Sequence, residues 1–270
     1  MANINYLIYA LFGLAPSIIW LIYYLRKDVH PEPKRMVIKI FLLGALIAPI
    51  VALIECFPAG YSQDAGLTCP LRSVFSVFFS ESLGTFLYMV LIVGGAEEIF
   101  KYLIVRFKAL RDPAFDEPTD AMIYMIIAAL GFAAVENILV LFSLGKPFLI
   151  TQVSLLTVYR FILPTFLHTL CSGTIGYFLA KALFDRKQKI RLMILGFSAA
   201  IFLHGLFNFS IIKIEESLET INNQLVIANQ NQFLTFFLIL ASILVGLTIF
   251  VTMGFRKLKR LKSVSKVHLI

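Results

Sequence analysis

Seven runs of about 20 or more predominantly apolar residues, separated by short polar loops, fix what this chain can become. A backbone with that pattern satisfies its own polar groups in lipid only as helices or as a closed barrel. Runs this long and this greasy select helices. The sequence therefore predicts an all-α polytopic membrane protein. Its spans lie near residues 5–25, 36–55, 83–107, 121–142, 161–182, 192–212 and 232–255, with a short interfacial helix near 71–82. Hydrophobic residues make up 59% of the 270 and charged ones only 15%, which leaves no stretch for a separate soluble core. Residues 1–270 are expected to form a single integral-membrane domain.

The charges set the expected orientation. Nineteen of the 24 Lys and Arg fall in the loops after spans 1, 3 and 5 and in the tail after span 7. The positive-inside rule then places the N-terminus outside and the C-terminus in the cytoplasm. A net charge of +8 distributed in this way is a topology signal and excludes a nucleic-acid-binding face. The first 25 residues lack a basic leader and a small-residue cleavage site, so they read as a retained first span. Cys56 and Cys69 share the second loop, where a disulfide and two free thiols are equally compatible with the sequence. Cys171, inside span 5, reads as a small buried hydrophobe.

Spans 3 to 6 each break the apolar pattern near one depth. Span 3 holds Gly94-Gly95-Ala96-Glu97-Glu98-Ile99-Phe100-Lys101. A charge at mid-bilayer costs roughly 2.5–3.5 kcal/mol on insertion scales, and here three are grouped. Lys101 stands four residues from Glu97 and three from Glu98, so it can neutralise either. Adjacent glutamates are about 100° apart round a helix, so one pairs while the other is left to face a cavity. Span 4 carries Glu136-Asn137, span 5 His168, and span 6 His204 with Asn208 one turn on. Glu55, Glu81 and Arg160 read as interfacial or solvated. Structural alternatives exist for each element alone: an ion pair for Glu97, Glu98 and Lys101, helix–helix hydrogen bonding for Glu136 and Asn137, a packed ring for His168.

A desolvated carboxylate beside a lysine can take a proton from water, and a histidine with an amide on one helix face can donate to an oxyanion. That combination suits water attack on an amide. No serine elbow and no base-flanked cysteine offers a covalent route. A His-Glu-x-x-His zinc motif is absent from the sequence, yet His168, His204 and Glu97 from separate helices would make a His₂Glu zinc site. The competing class is a proton- or cation-coupled transporter using the same groups as a relay; no internal repeat speaks for it.

Taken in order, these motifs resemble the PrsW family of intramembrane proteases, the glutamic-type group related to the type II CAAX prenyl endopeptidases. The likeness covers about residues 14–210. It runs through Ala15-Pro16-Ser17, Pro31-Glu32-Pro33-Lys34-Arg35, Glu97-Glu98-x-x-Lys101 and Phe115-Asp116-Glu117-Pro118-x-Asp120. It continues with Gly131-Phe132-Ala133-x-x-Glu136-Asn137, His168 and His204-Gly-x-x-Asn208. The resemblance implies cleavage of a membrane-anchored protein, anti-sigma-factor-like and of the site-1 type, in a bacterial plasma membrane. It implies Glu97 as base, Glu98 with Lys101 and Asn137 in support, and His204 with Asn208 as oxyanion donors. The relatives' Phe-x-x-x-His becomes Phe132-x-x-x-Glu136 here, so the second water-handling role stays open between Glu136 and His168. No cofactor is expected on this reading, zinc being the alternative.

Overall fold

The computed structural model describes residues 2–27, 30–55, 74–75, 77–143, 150–221 and 224–261. Cys56 and Cys69 lie outside them, as do residues 71–73 and 76 of the expected interfacial helix.

All seven spans are present as helices long and apolar enough to cross a bilayer. They are α1 (Ala2–Leu25), α2 (Lys34–Ile54), a third span built in three pieces, α5 (Asp120–Ser143), a broken fifth span, α8 (Lys189–Glu215) and α9 (Gln230–Leu258). The third span differs from the single regular helix its composition suggests. It comprises α3 (Glu81–Tyr88), a π-helical turn (Met89–Gly94) and α4 (Gly95–Lys108). The wide turn ends three residues before Glu97, the kind of place where π-bulges recur.

The fifth span also departs from expectation. Residues 150–160 were expected in an outer connection, but they form α6 (Ile150–Ile162), which runs into α7 (Pro164–Phe184) across Leu163. Pro164 at the first turn has no N–H to give, so the chain breaks and restarts there. The acidic stretch after α8 forms a small antiparallel hairpin, β1 (Leu218–Ile221) with β2 (Gln224–Ile227), where a loop was expected.

Helix α5 lies at the centre, packed by α1, α2 and α7. Between Asp120 and Glu136 it is apolar all round, as a helix stretch buried on every side must be. Small residues let its neighbours close in: a Cβ on Gly131 would strike the backbone of Phe41, and one on Gly44 the backbone of Ala128. Helices α1, α2 and α9 instead turn large side chains outward, among them Leu11, Leu46 and Leu238, each more than half exposed. In a membrane protein this is the lipid-facing surface.

The Pro31–Pro33 and Phe115–Asp120 motifs meet at one end of the bundle. Glu32 accepts a hydrogen bond from Tyr124, and His30 contacts Glu117. Asp120 Oδ2 takes the backbone N–H groups of Asp116 (2.8 Å) and Glu117 (2.7 Å). These residues tie two loops together and sit away from the polar groups in the spans.

Candidate active site

The four polar spans converge on one point. Glu97, Glu98, His168 and His204 each offer a ligand atom, and these atoms lie within 4.8 Å of one another. The backbone allows this because α8 comes hard against the π turn: a Cβ on Gly205 would overlap Val90, and one on Gly94 would press on the carbonyl of Ile201.

The two glutamates are not equivalent. Glu98 is fully buried and saturated. Its Oε1 accepts from Lys101 Nζ (2.9 Å) and His204 Nδ1 (3.0 Å), and its Oε2 from Ser172 Oγ (2.6 Å). Glu97 Oε2 accepts from Lys101 Nζ (2.8 Å), while its Oε1 makes no hydrogen bond among the described residues. The Lys101 ammonium also donates to His168 Nδ1 (2.9 Å) and lies 4.4 Å from the centre of the Phe132 ring. One lysine thus neutralises both carboxylates.

Each histidine is held by a carboxylate on one ring nitrogen and turns the other toward Glu97. His168 Nε2 donates to Glu136 Oε2 (2.7 Å), leaving Nδ1 3.3 Å from Glu97 Oε2. His204 Nδ1 donates to Glu98, leaving Nε2 3.7 Å from the same Glu97 oxygen. A carboxylate partner fixes a proton on the nitrogen that faces it; the other nitrogen of His168 accepts from Lys101, and that of His204 is turned toward Glu97 Oε2.

That donor set fits a metal of the zinc class. Ligand atoms about 2.1 Å from a tetrahedral zinc stand about 3.4 Å apart, and the separations of 3.3 and 3.7 Å from Glu97 Oε2 bracket that value. Carboxylates behind the two rings complete the usual outer arrangement. Lys101 Nζ shares Glu97 Oε2 and His168 Nδ1 with any such ion, and is itself a cation at this point.

Three residues of the site were read differently from sequence. Arg160, expected near the interface, is buried and reaches in from α6. Its Nη2 donates to Glu136 Oε1 (2.6 Å), and its Nε hydrogen-bonds Asn137 Oδ1. Ser172, which stood out only as part of a small-residue face, is a ligand of Glu98. Glu55, expected at the surface, keeps Oε1 buried without a hydrogen bond, and its carbonyl accepts from Tyr88 (2.6 Å). An Arg and a Glu close to apolar runs were the available signals. Asn137 is a bracket: its amide donates to Gly13 O (3.2 Å) and Thr165 Oγ1 (3.0 Å), joining α5 to α1 and α7. Asn208 is half-buried and outside the hydrogen-bonded cluster, one turn along α8 from His204. Cys171 is a buried free thiol.

Residues 32–250 match the family model described as PrsW family intramembrane metalloprotease. The chain is 30% identical over 199 residues to a Protease PrsW of Oceanobacillus iheyensis, covering 73% of this chain and 80% of the relative. A Protease PrsW of Geobacillus kaustophilus is 30% identical over 198 residues, covering 73% and 76%. The Bacillus subtilis Protease PrsW is 29% identical over 201 residues, covering 73% and 79%. No solved structure matches the chain.

Proposed function

The chain belongs to the PrsW family of intramembrane proteases, and from that premise we propose that it cuts a peptide bond of a membrane-anchored protein where Glu97, His168 and His204 converge. Family membership selects the protease over the transporter. The observation that carries the reading is the aim of two carboxylate-anchored imidazoles at one glutamate oxygen. Groups so arranged handle a water molecule in a site from which bulk water is excluded. By the same likeness, the substrate class is a membrane-tethered regulatory protein of the anti-sigma-factor kind, and the compartment is a bacterial plasma membrane.

Glu97, His168 and His204 would hold a zinc-class ion. Such an ion, when bound, supplies an acidified water and polarises the scissile carbonyl. The chain's own residues do the remainder. Glu97 Oε1, which has no hydrogen-bond partner among the described residues, takes the proton of the attacking water. Glu136 and Glu98 keep His168 and His204 in the tautomers that face Glu97. The Asn208 amide, free of the cluster, donates to the developing oxyanion. On this reading His204 is a ligand and not an oxyanion donor, since Glu98 takes its Nδ1 side. A second reading rests on Lys101, whose ammonium already supplies positive charge at the focus. On that reading Glu97 activates water without a metal, and Glu136 acts through His168.

The test is cleavage of co-expressed single-span baits by wild type, Glu97→Gln and His204→Ala, with the purified enzyme assayed in a chelator. Glu97→Gln is expected to lose at least about a hundredfold in rate while remaining folded. Undiminished cleavage by that variant overturns the site. Loss in chelator with recovery on added zinc selects the metal-holding reading. Full activity in chelator, from protein free of bound metal, selects the Lys101 reading.

A further inference from the structure

On the opposite side of α7 from the active cluster lies a cavity of about 670 Å³, bounded by α1, the α6–α7 junction and α9. The two sites use opposite faces of one helix. His168 turns to Glu97, whereas Phe166 and Leu170, two residues to either side, line the cavity. Its floor is aromatic. Trp20 stacks on Phe166 (4.3 Å between ring centres) and on Phe161 (5.1 Å), held by an Nε1–H bond to the Phe161 carbonyl at 3.0 Å. Toward one end Tyr24 lies against Phe255, with ring centres 6.2 Å apart.

That end is basic. Lys27, at the close of α1, and Arg256 and Lys259, at the close of α9, all line the cavity mouth. None has a carboxylate within ion-pair distance among the described residues. Lys27 Nζ lies instead over the Tyr23 ring, 4.7 Å from its centre. The side chains of Ile19 and Ile22 beside the cavity are about half exposed on the lipid-facing surface of α1. A volume of this size accommodates an ordered small molecule. The combination of an aromatic slot with three cations at one end matches a single amphiphile: acyl chain below, negative headgroup above.

We propose that this cavity is a binding site for one anionic phospholipid of the leaflet on the C-terminal side of α1 and α9. Lys27, Arg256 and Lys259 receive the phosphate, and an acyl chain lies across Trp20 and Phe166. The chemistry is that of basic pockets between transmembrane helices that take anionic headgroups. A zwitterionic lipid has no net charge to offer the three cations and is bound less well.

The chain contains one tryptophan, and it lies in this cavity, so the site carries its own reporter. The full-length protein is reconstituted into phosphatidylcholine vesicles, and Trp20 emission is followed as acyl-brominated phosphatidylglycerol replaces the host lipid. Acyl-brominated phosphatidylcholine is the control. The expected result is saturable quenching by the anionic lipid, at a mole fraction on the order of tenfold lower than for the zwitterionic one. In Lys27→Gln/Arg256→Gln/Lys259→Gln the two curves should coincide. In wild type, raising the salt to about 1 M should shrink the difference, since screening then acts over about 3 Å. Coincident curves in wild type overturn the proposal, as does a preference that survives both the triple substitution and high salt. Equal displacement of both brominated lipids by a single-span peptide would assign the cavity to protein and overturn it as well.

Discussion

Two ion-pair networks each hold one of the two histidines, and they differ in how fully they are enclosed. On one side, Lys101, Glu98, Ser172 and His204 form a closed set, with the Lys101 and Glu98 side chains both 0% exposed. On the other, Arg160, Glu136 and His168 form an open one, in which the Glu136 side chain is 21% exposed. In the closed network every charge depends on a partner inside the protein. In the other network Glu136 keeps His168 as a partner if Arg160 is lost. Glu97, between them, touches both.

Breaking the closed side should do the most damage. Lys101→Met strands Glu97 and Glu98 without their counter-charge, and losing one partner of a buried pair costs about 3–5 kcal/mol. Size-exclusion profiles and thermal melts in detergent should show a protein that is largely unfolded. A native melt would mean that the glutamates are neutralised in another way. Arg160→Gln, on the other side, should lower the melt less than Lys101→Met does, because Glu136 keeps His168 as a partner, yet slow bait cleavage about 10- to 100-fold by loosening the carboxylate that holds His168. If that variant unfolds instead, the contrast between the two sides is wrong. Ser172→Ala sharpens the comparison. Glu98 loses one donor of three and keeps Lys101 and His204, so the melt should fall by about 1 kcal/mol, with activity reduced only slightly.

Much of this was legible in the chain because the information is local. Helices in a bilayer must close their own hydrogen bonds, so length and hydropathy alone located all seven spans. The Glu97–Lys101 and Glu98–Lys101 pairs follow from three- and four-residue spacing on a helix, and both ion pairs are present. Grouping Glu97, Glu136, His168 and His204 needed only depth counting along four spans. Arg160 was misplaced because distance from an apolar run says nothing about where a long side chain bends, and α6 was hidden in what read as a connection.

What the sequence determined by itself is therefore the set of membrane helices and the chemical content of the site, since both depend on residue type and on spacing along one chain. Which glutamate keeps an oxygen outside the hydrogen-bonded cluster is visible only in the fold. The π turn at Met89–Gly94 resets the face of the helix that follows it, and the close passage of α8 at Gly205 brings His204 and Glu98 together. Once Ser172, Lys101 and His204 have saturated Glu98, Glu97 is the carboxylate left with an oxygen to spare. That selection comes from contacts between helices 74 and 106 residues apart in sequence, and no pattern within a single span encodes it.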